Sequence, residues 1–402
     1  MSILEFEKAN TLVLSADSEP YPKRILIDTF IRGLLQIPYR TKVPGFITRF
    51  DKFKIFSRIL ERHYDKLSYT QDWLNALNEN KIIKADICNI NNIVDLGIKL
   101  KKLKDYDLII ILHSALGDDC RLLDFFSSYF NRRKCPLIAF IGNEYDLLPE
   151  KKELLKSLNT DYICTQLPLS VASWLYDDVI SARVIPMPHA LNQKKYFDQN
   201  LERFNILGFI GSLHPLWIGD NERTCLLRRV NQLLIELGLR SLIDTTGQNL
   251  PSTQWAKFLN QSIGTIGAES GTYYLDKSGQ LLMIAKEIIR SHPKMEFSEI
   301  YGRVFETPAL EVRSAKCISS RHFEPIGTKT CQLLLEGSYN DILMPDIHFI
   351  TINKDISNLN DSINKILDKD YRTQIINSAY EYVIIDHTYS KRLEYLLQIV
   401  LK

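Results

Sequence analysis

Residues 318–337 read ISSRHFEPIGTKTCQLLLEG, a polar stretch that runs straight into an apolar one. CQLLLEG has the length and composition of a short strand, and the lack of polar alternation in it predicts burial on both faces, as in a parallel sheet. The segment in front predicts a short helix with Ser319 or Ser320 as its N-cap. In parallel α/β sheets, ligands sit outside the carboxyl ends of the strands, where helix N-termini expose unpaired N–H groups. A helix starting here aims those groups and Arg321 at an anion, and a diphosphate suits both the helix dipole and the guanidinium fork. Glu324, one turn on, is an acceptor for the vicinal hydroxyls of a ribose. Gly327, Thr328 and Thr330 join the same candidate cradle. The competing reading is plainer: Glu324 favours a helix start and Arg321 pairs with it on the surface.

Working outward, apolar runs of strand length alternate with longer segments of helical period, which predicts parallel α/β architecture. A first series holds 11–16 (TLVLSA), 107–114 (DLIIILHS), 137–143 (LIAFIGN), 161–166 (DYICTQ) and 182–187 (ARVIPM). Leu122, Phe126, Tyr129 and Phe130 form one stripe of a predicted crossover helix between two of these strands. A second series opens at 205–212 (NILGFIGS). It continues with a strongly amphipathic helix carrying Leu226, Leu227, Val230, Leu233, Leu234 and Leu237, with Gly238 as its C-terminal cap. Then follow 241–247, a helix near 253–261, 262–271 (SIGTIGAESG), a helix near 279–291, the opening stretch, 348–352, and terminal helices at 357–367, 370–385 and 388–401. The polar segment 186–204, between the series, reads as a linker.

A chain of 402 residues exceeds the roughly 250–300 at which one core stops growing, so two domains are expected. With 45% hydrophobic and 24% charged residues the composition is globular, and a net charge of +2 gives no nucleic-acid footprint. Basic stretches at 99–104 (KLKKLK) and 131–134 (NRRK) read as solvated helix ends or as weak attraction to an anionic membrane. Seven cysteines in no paired pattern suggest a reducing compartment. No run of about 18 apolar residues occurs, so the chain reads as soluble, cytoplasmic or peripheral to a membrane.

The order of VIPMPHALN (184–192) with YF after it, GFIGS (208–212) with an arginine behind, RHFEPIGTKTCQ (321–332), D..FI.I..D (346–355) and HTYSKR (387–392) resembles the GT-B glycosyltransferases. It is most similar to the family 4-like, spore-maturation-type branch of "glycosyl transferases family 1". The resemblance runs from about residue 105 to the C-terminus and leaves the first hundred residues unmatched. It implies two facing Rossmann-like domains, residues 1–195 for the acceptor and 196–385 for a nucleotide-sugar donor, with a final helix over 386–402 crossing back to the first. It also implies ribose binding by Glu324, diphosphate binding near Arg321, close backbone approach at Gly211, a second phosphate contact at Arg223, and a donor-side loop at Glu269, Ser270 and Gly271. The pattern departs where broader retaining families carry E-x7-E: Lys316 stands eight positions before Glu324.

Sugar transfer needs stabilisation of the departing diphosphate and, for inversion, a base for the acceptor hydroxyl. His113 and Glu144 are candidates for that catalytic role, with Asn143 beside them, because each follows a buried strand in the first domain. Either is also readable as a structural residue. Asp118 and Asp119 read as an N-cap pair, and His189 as a linker residue. No His/Cys/Asp/Glu cluster shows ligand spacing, so metal independence and no cofactor are expected. The function expected is transfer of a sugar from a nucleoside diphosphate-sugar to a glycan or lipid-linked acceptor in surface polysaccharide synthesis. The alternatives are a nucleotide-sugar epimerase of the same fold and a non-catalytic nucleotide-sugar-binding assembly protein.

Overall fold

The computed structural model describes residues 8–16, 68–116, 120–247 and 250–401. They divide into two compact units. The first takes the described residues up to Thr165, with Tyr176–Pro186 and the residues from Leu396 on; the second takes Gln166–Leu175 and Met187–Tyr395. The expected α/β class, with a parallel sheet in each unit, is what the structure shows.

In the first unit the chain runs β1 (Ala9–Ser15), α1 (Ser68–Glu79), β2 (Ile83–Asn89), α2 (Ile93–Lys101), β3 (Leu108–Ile111), α3 (His113–Leu116), α4 (Arg121–Phe125), α5 (Ser127–Phe130), β4 (Leu137–Ile141), α6 (Leu148–Ser157), β5 (Tyr162–Thr165) and β6 (Arg183–Pro186). The six strands are parallel in the order β2-β1-β3-β4-β5-β6. β3 and β4 are buried throughout, as their unbroken apolar runs require. β2 is absent from the sequence reading, because Lys84 and Asp86 interrupt its apolar run; as an edge strand it tolerates them. The single crossover helix expected after β3 is two short ones. Phe126 leaves helical geometry at φ −95° and ψ 6°, so Leu122, Leu123 and Phe130 reach the core while Phe125 stays outward.

The second unit holds α7 (Leu169–Leu175), β7 (Asn205–Ile210), α8 (Glu222–Glu236), β8 (Ser241–Asp244), α9 (Ser252–Asn260), β9 (Ser262–Gly267), β10 (Leu275–Asp276), α10 (Gln280–Ser291), α11 (Phe297–Ile300), β11 (Val312–Arg313), α12 (Ser320–Gly327), β12 (Cys331–Leu335), β13 (Ile350–Ile352), α13 (Leu359–Leu367) and α14 (Lys369–Asp386). A last helix, α15 (Tyr389–Val400), ends the chain. Its five-stranded parallel sheet has the order β13-β12-β9-β7-β8. One face is covered by α8 and α13, through Leu226, Leu227, Val230, Leu234, Ile363 and Ile366. The other is covered by α9, α12 and α14, through Phe258, Leu259, Phe323, Ile326, Ala379 and Val383. Each leucine, isoleucine, valine or phenylalanine among them stabilises the unit by about 1.5–3 kcal/mol when removed from water. Leu237, expected in the α8 stripe, is 51% exposed, because the helix has already ended there and Gly238 turns the chain with φ +65°.

Two features lie beyond the periodicity. Between β9 and α12, on either side of α10, the helix expected near 279–291, the chain inserts the antiparallel pair β10–β11, α11 and one π-helical turn at Tyr301–Phe305, closed around the rings of Tyr274, Tyr301 and Phe305. The segment read as a linker is packed: Met187, Leu191 and Tyr196 are buried, and Leu191 bridges to Thr388.

Candidate functional site

Counted within the second unit, the strand order is 2-1-3-4-5. The order reverses between β7 and β9, so the loops after these two strands part at the carboxyl edge, the place where open α/β sheets take ligands. The loop after β9 is pinned to the approach to α12, since Ser270 and Cys317 exchange backbone hydrogen bonds of 2.9 Å. Gly271 turns that loop at φ +93°, where a Cβ would stand 2.1 Å from the carbonyl oxygen of Ala315. α12 begins where expected, with Ser319 as N-cap. His322 completes a capping box in the place usually held by Glu or Gln. Its Nδ1 accepts the Ser319 N–H at 3.0 Å, so the proton sits on Nε2 and points at the carbonyl of Ala268, 3.2 Å away. Burial holds its pKa down at about 4, which keeps this neutral arrangement.

Around that edge the fold gathers a buried charged cluster. Asp220, ahead of α8, accepts from Nδ1 of His214 at 3.1 Å, from the backbone N–H of Glu222 at 2.8 Å and from the ammonium of Lys316. Burial works to raise the Asp220 pKa, but the His214 hydrogen bond and the Lys316 charge outweigh it and hold the carboxyl well below its usual range. Lys316 also lies 3.8 Å from Glu222 and 4.7 Å from the centre of the Tyr273 ring. The Tyr273 hydroxyl donates to Glu222 at 2.9 Å, and Lys354, just past β13, donates to Glu222 at 2.8 Å. Arg223, in the first turn of α8, is near enough for its charge to lower the pKa of both His214 and His322.

The residues singled out in the sequence fall into three groups. Gly211, Arg223, Glu269, Ser270 and Arg321 lie on loops and helix starts that follow the second unit's strands or open its helices at the carboxyl edge, and Glu324 lies one turn into α12. Glu269 is buried and accepts from the backbone N–H of Tyr339 at 2.8 Å and the Ser338 hydroxyl at 3.2 Å, tying the β9 loop to the β12 loop. Glu324 is buried, and its Oε2 accepts the indole N–H of Trp255 at 2.7 Å. Arg321 is exposed with its guanidinium 4.0 Å from the centre of the same indole. The surface Arg–Glu pair of the competing reading is therefore replaced by one tryptophan that touches both.

Gly327, Thr328 and Thr330 form the second group, and the structure does not bring them to the others. Gly327 is the last residue of α12, and Thr328 and Thr330 follow it at the amino end of β12. Arg203 donates there to the Thr328 carbonyl at 2.6 Å and the Thr330 hydroxyl at 2.9 Å, and Thr330 donates to the Leu259 carbonyl at 2.8 Å. A Cβ on Gly327 would stand 2.4 Å from the Tyr196 carbonyl oxygen. The polar turn ahead of the buried strand is thus satisfied from within the fold.

The third group is in the first unit, after β3 and β4. His113 packs against Tyr69, Trp73 and Phe140, with ring centres 6.0, 6.5 and 5.3 Å away, and burial lowers its pKa to about 3. Glu144 is buried and accepts from the Thr165 hydroxyl; burial raises its pKa although that hydrogen bond opposes the rise. Asn143 sits in left-handed geometry at φ 53°, and the buried Lys151 donates to the carbonyls of Gly142 and Asn143 at 2.9 and 3.1 Å. Asp118 and Asp119 lie outside the described residues. His189 is buried.

Sequence reasoning passed over His214, Asp220, Tyr273 and Lys354, and noticed Lys316 only as a missing glutamate. The one local signal is GSLHPLWIGDNER, a histidine and an aspartate in the loop behind a buried strand. Among the described residues no group of three or more His, Cys, Asp or Glu is placed to hold a metal ion. The two Asp-x-Asp triplets are both committed elsewhere: Asp107 accepts the Asn10 N–H at 2.8 Å, and Asp368 caps α14.

No family model matches the sequence, and no curated protein matches it. Several solved structures follow a similar course. Anabaena Alr3699/HepE in complex with UDP has a TM-score of 0.47 and 10% identity, covering 98% of this chain and 99% of that one. T4 phage BGT in complex with its UDP-glucose substrate has a TM-score of 0.46 and 10% identity, covering 97% and 99%. TarM has a TM-score of 0.39 and 12% identity, covering 77% of this chain and 58% of that one.

Proposed function

We propose that the protein is a glycosyltransferase that moves a sugar from a nucleoside diphosphate-sugar to an acceptor hydroxyl, with the donor held by the second unit. The carrying observation is the cluster at the carboxyl edge of its sheet: Arg223, Lys316 and Lys354 stand with Asp220 and Glu222 beside the β7/β9 reversal and the start of α12. Lys316 and Lys354, already fixed in place by carboxylates, meet a diphosphate without reorganising, and helix N-termini add to the attraction. Glu324 and Arg321, joined through Trp255, form the nucleoside side in this reading, and Glu269 and Ser270 shape the loop. Gly327, Thr328 and Thr330 support the turn and are left out of the donor contacts.

The first unit supplies the acceptor side, with Asn143 and Glu144 at its carboxyl edge. A glycan or lipid-linked acceptor agrees with another feature of this unit. α2 and α5 pack side by side and expose Val94 and Ile98, with Phe125 on the adjacent α4 and the cations Lys101, Lys102, Lys104, Arg132 and Lys134 near by. Apolar side chains amid lysines suit peripheral contact with an anionic bilayer. No helix among the described residues is long and apolar enough to cross a membrane. The free state of all seven cysteines fits a reducing, cytoplasmic setting.

The test is thermal shift of the purified protein with UDP, GDP, ADP and their sugars, followed by turnover of the stabilising donor with and without acceptor. Stabilisation by one nucleoside diphosphate and acceptor-dependent release of it support transfer. Acceptor-independent conversion of the sugar favours the epimerase, and binding without any turnover favours an assembly protein. Indifference to every nucleotide removes the reading.

A further inference from the structure

We propose that His214 is the proton acceptor for the hydroxyl that displaces the nucleoside diphosphate, with Asp220 as its positioning residue. The inference rests on the donor reading of the second unit's edge and adds to it a catalytic group that neither the sequence patterns nor the resemblance assigned.

The tautomer follows from the hydrogen bonds. Asp220 is ionised, because the Lys316 ammonium, the Glu222 N–H and His214 all bond to it, and an ionised carboxylate only accepts. Nδ1 of His214 must then carry the proton, which leaves Nε2 as a bare lone pair. No described residue donates to Nε2, and the His214 side chain retains 7% exposure, so the lone pair is not sealed into the core. His322 differs, since both its ring nitrogens are spent on backbone groups. His113 differs again, enclosed by three aromatic rings.

The charged groups bearing on His214 are Asp220, Arg223 and Lys316, with Glu222 behind Lys316. Burial, Arg223 and Lys316 keep the resting imidazole neutral, while Asp220 stabilises the cation once it forms. In the step itself, the O–H proton of the incoming hydroxyl passes to Nε2. The oxygen's electron pair makes the new bond to the anomeric carbon. The bond from that carbon to the phosphate oxygen breaks, and its electron pair leaves with the nucleoside diphosphate. Lys316, Arg223 and Lys354 lie where that negative charge develops. The imidazolium then loses its proton to solvent, which restores the resting enzyme.

His214→Asn is the decisive variant, because its amide N–H still donates to Asp220 while Nε2 is lost. The expected result is an unchanged melting temperature and an unchanged thermal shift with the stabilising nucleoside diphosphate. Turnover of the donor should fall about 10²–10⁴-fold, and the acidic limb of the kcat/KM pH profile should disappear. Long-range ¹H–¹⁵N spectra of histidine-labelled wild-type protein at neutral pH give an independent readout: Nδ1 of His214 should be protonated and Nε2 not. Wild-type turnover by His214→Asn, or a proton on Nε2, overturns the proposal and leaves the donor reading standing. A wild-type protein that binds the diphosphate without turning over any donor overturns the proton-acceptor role together with sugar transfer. Failure of the wild-type protein to bind any nucleoside diphosphate removes the donor reading itself.

Discussion

Asp220 and Lys316 bind each other in a setting where neither charge is tolerable alone: their side chains are 0% and 3% exposed. Removing one partner of such a pair leaves the other buried without compensation, which costs about 3–5 kcal/mol. Asp220→Asn is therefore expected to destabilise the second unit by that order, measured by urea unfolding at neutral pH. The folded-state pKa of Asp220 is depressed, so its contribution is present above the unfolded value near 3.8 and is lost as the pH falls below it. The gap between wild type and Asp220→Asn should close on acidification below about pH 4. Glu144 has the opposite sign, since burial raises its folded pKa. Its effect on stability is neutral below the unfolded value near 4.5 and becomes unfavourable as the pH rises through the folded value. Glu144→Gln keeps an acceptor for Thr165, and should raise the melting temperature at pH 7–8 by ~2–4 °C with no gain below pH 4.5. Equal gains at both pH values would show that charge is not the cause.

At the scale of elements, α12 depends on its first turn. Ser319→Ala removes the serine from the capping box and should cost about 1 kcal/mol, seen as a lower unfolding midpoint with an unchanged denaturant slope. The Ser319 backbone N–H bond to His322 survives in that variant, so a loss well above 2 kcal/mol would mean that the serine does more than cap. In the first unit, reversing Lys101 and Lys102 to glutamate tests the face formed by α2 and α5. Each lysine near an anionic surface contributes about 1 kcal/mol, so the double variant should sediment with phosphatidylserine vesicles at least ~25-fold more weakly. Unchanged sedimentation would remove that face from the membrane. Elements with unbroken apolar runs, such as β3 and β4, were legible from composition alone. β2 was not, because Lys84 and Asp86 are tolerated only at the edge it occupies. The β10–β11 insertion was hidden for another reason: two-residue strands carry no period to detect.

For the whole molecule, both parallel sheets share the order 2-1-3-4-5, the first with one further strand, and each reverses direction beside its first strand. That repeat places a ligand-taking edge in each unit without any shared motif. Within the second unit Glu324 is the sharpest probe of the donor reading. Glu324→Ala should weaken nucleoside diphosphate binding by about 1–3 kcal/mol, read by titration calorimetry. It also strips the acceptor from the buried Trp255 indole, so some stability should be lost with it. Glu324→Gln retains that acceptor and separates the two effects: binding should stay weak while the melting temperature recovers. Recovered binding in Glu324→Gln would show that the carboxylate charge is irrelevant to the ligand.

The sequence by itself determined the α/β class, the onset of α12 at the Ser319–Ser320 pair and most of the packed stripe of α8, because these depend on apolar spacing and capping chemistry within a few neighbouring residues. Tertiary structure alone decided which polar groups meet. Asp220 and Lys316 are 96 positions apart, and Trp255 and Glu324 are 69 apart. Their pairing comes from strand order, which brings loops from distant parts of the chain to one edge of a sheet. Thr328 and Thr330 resemble the site residues in composition, and chain order already puts them at the amino end of β12; what the fold decided is that Arg203, 125 and 127 positions away, takes up their polar groups.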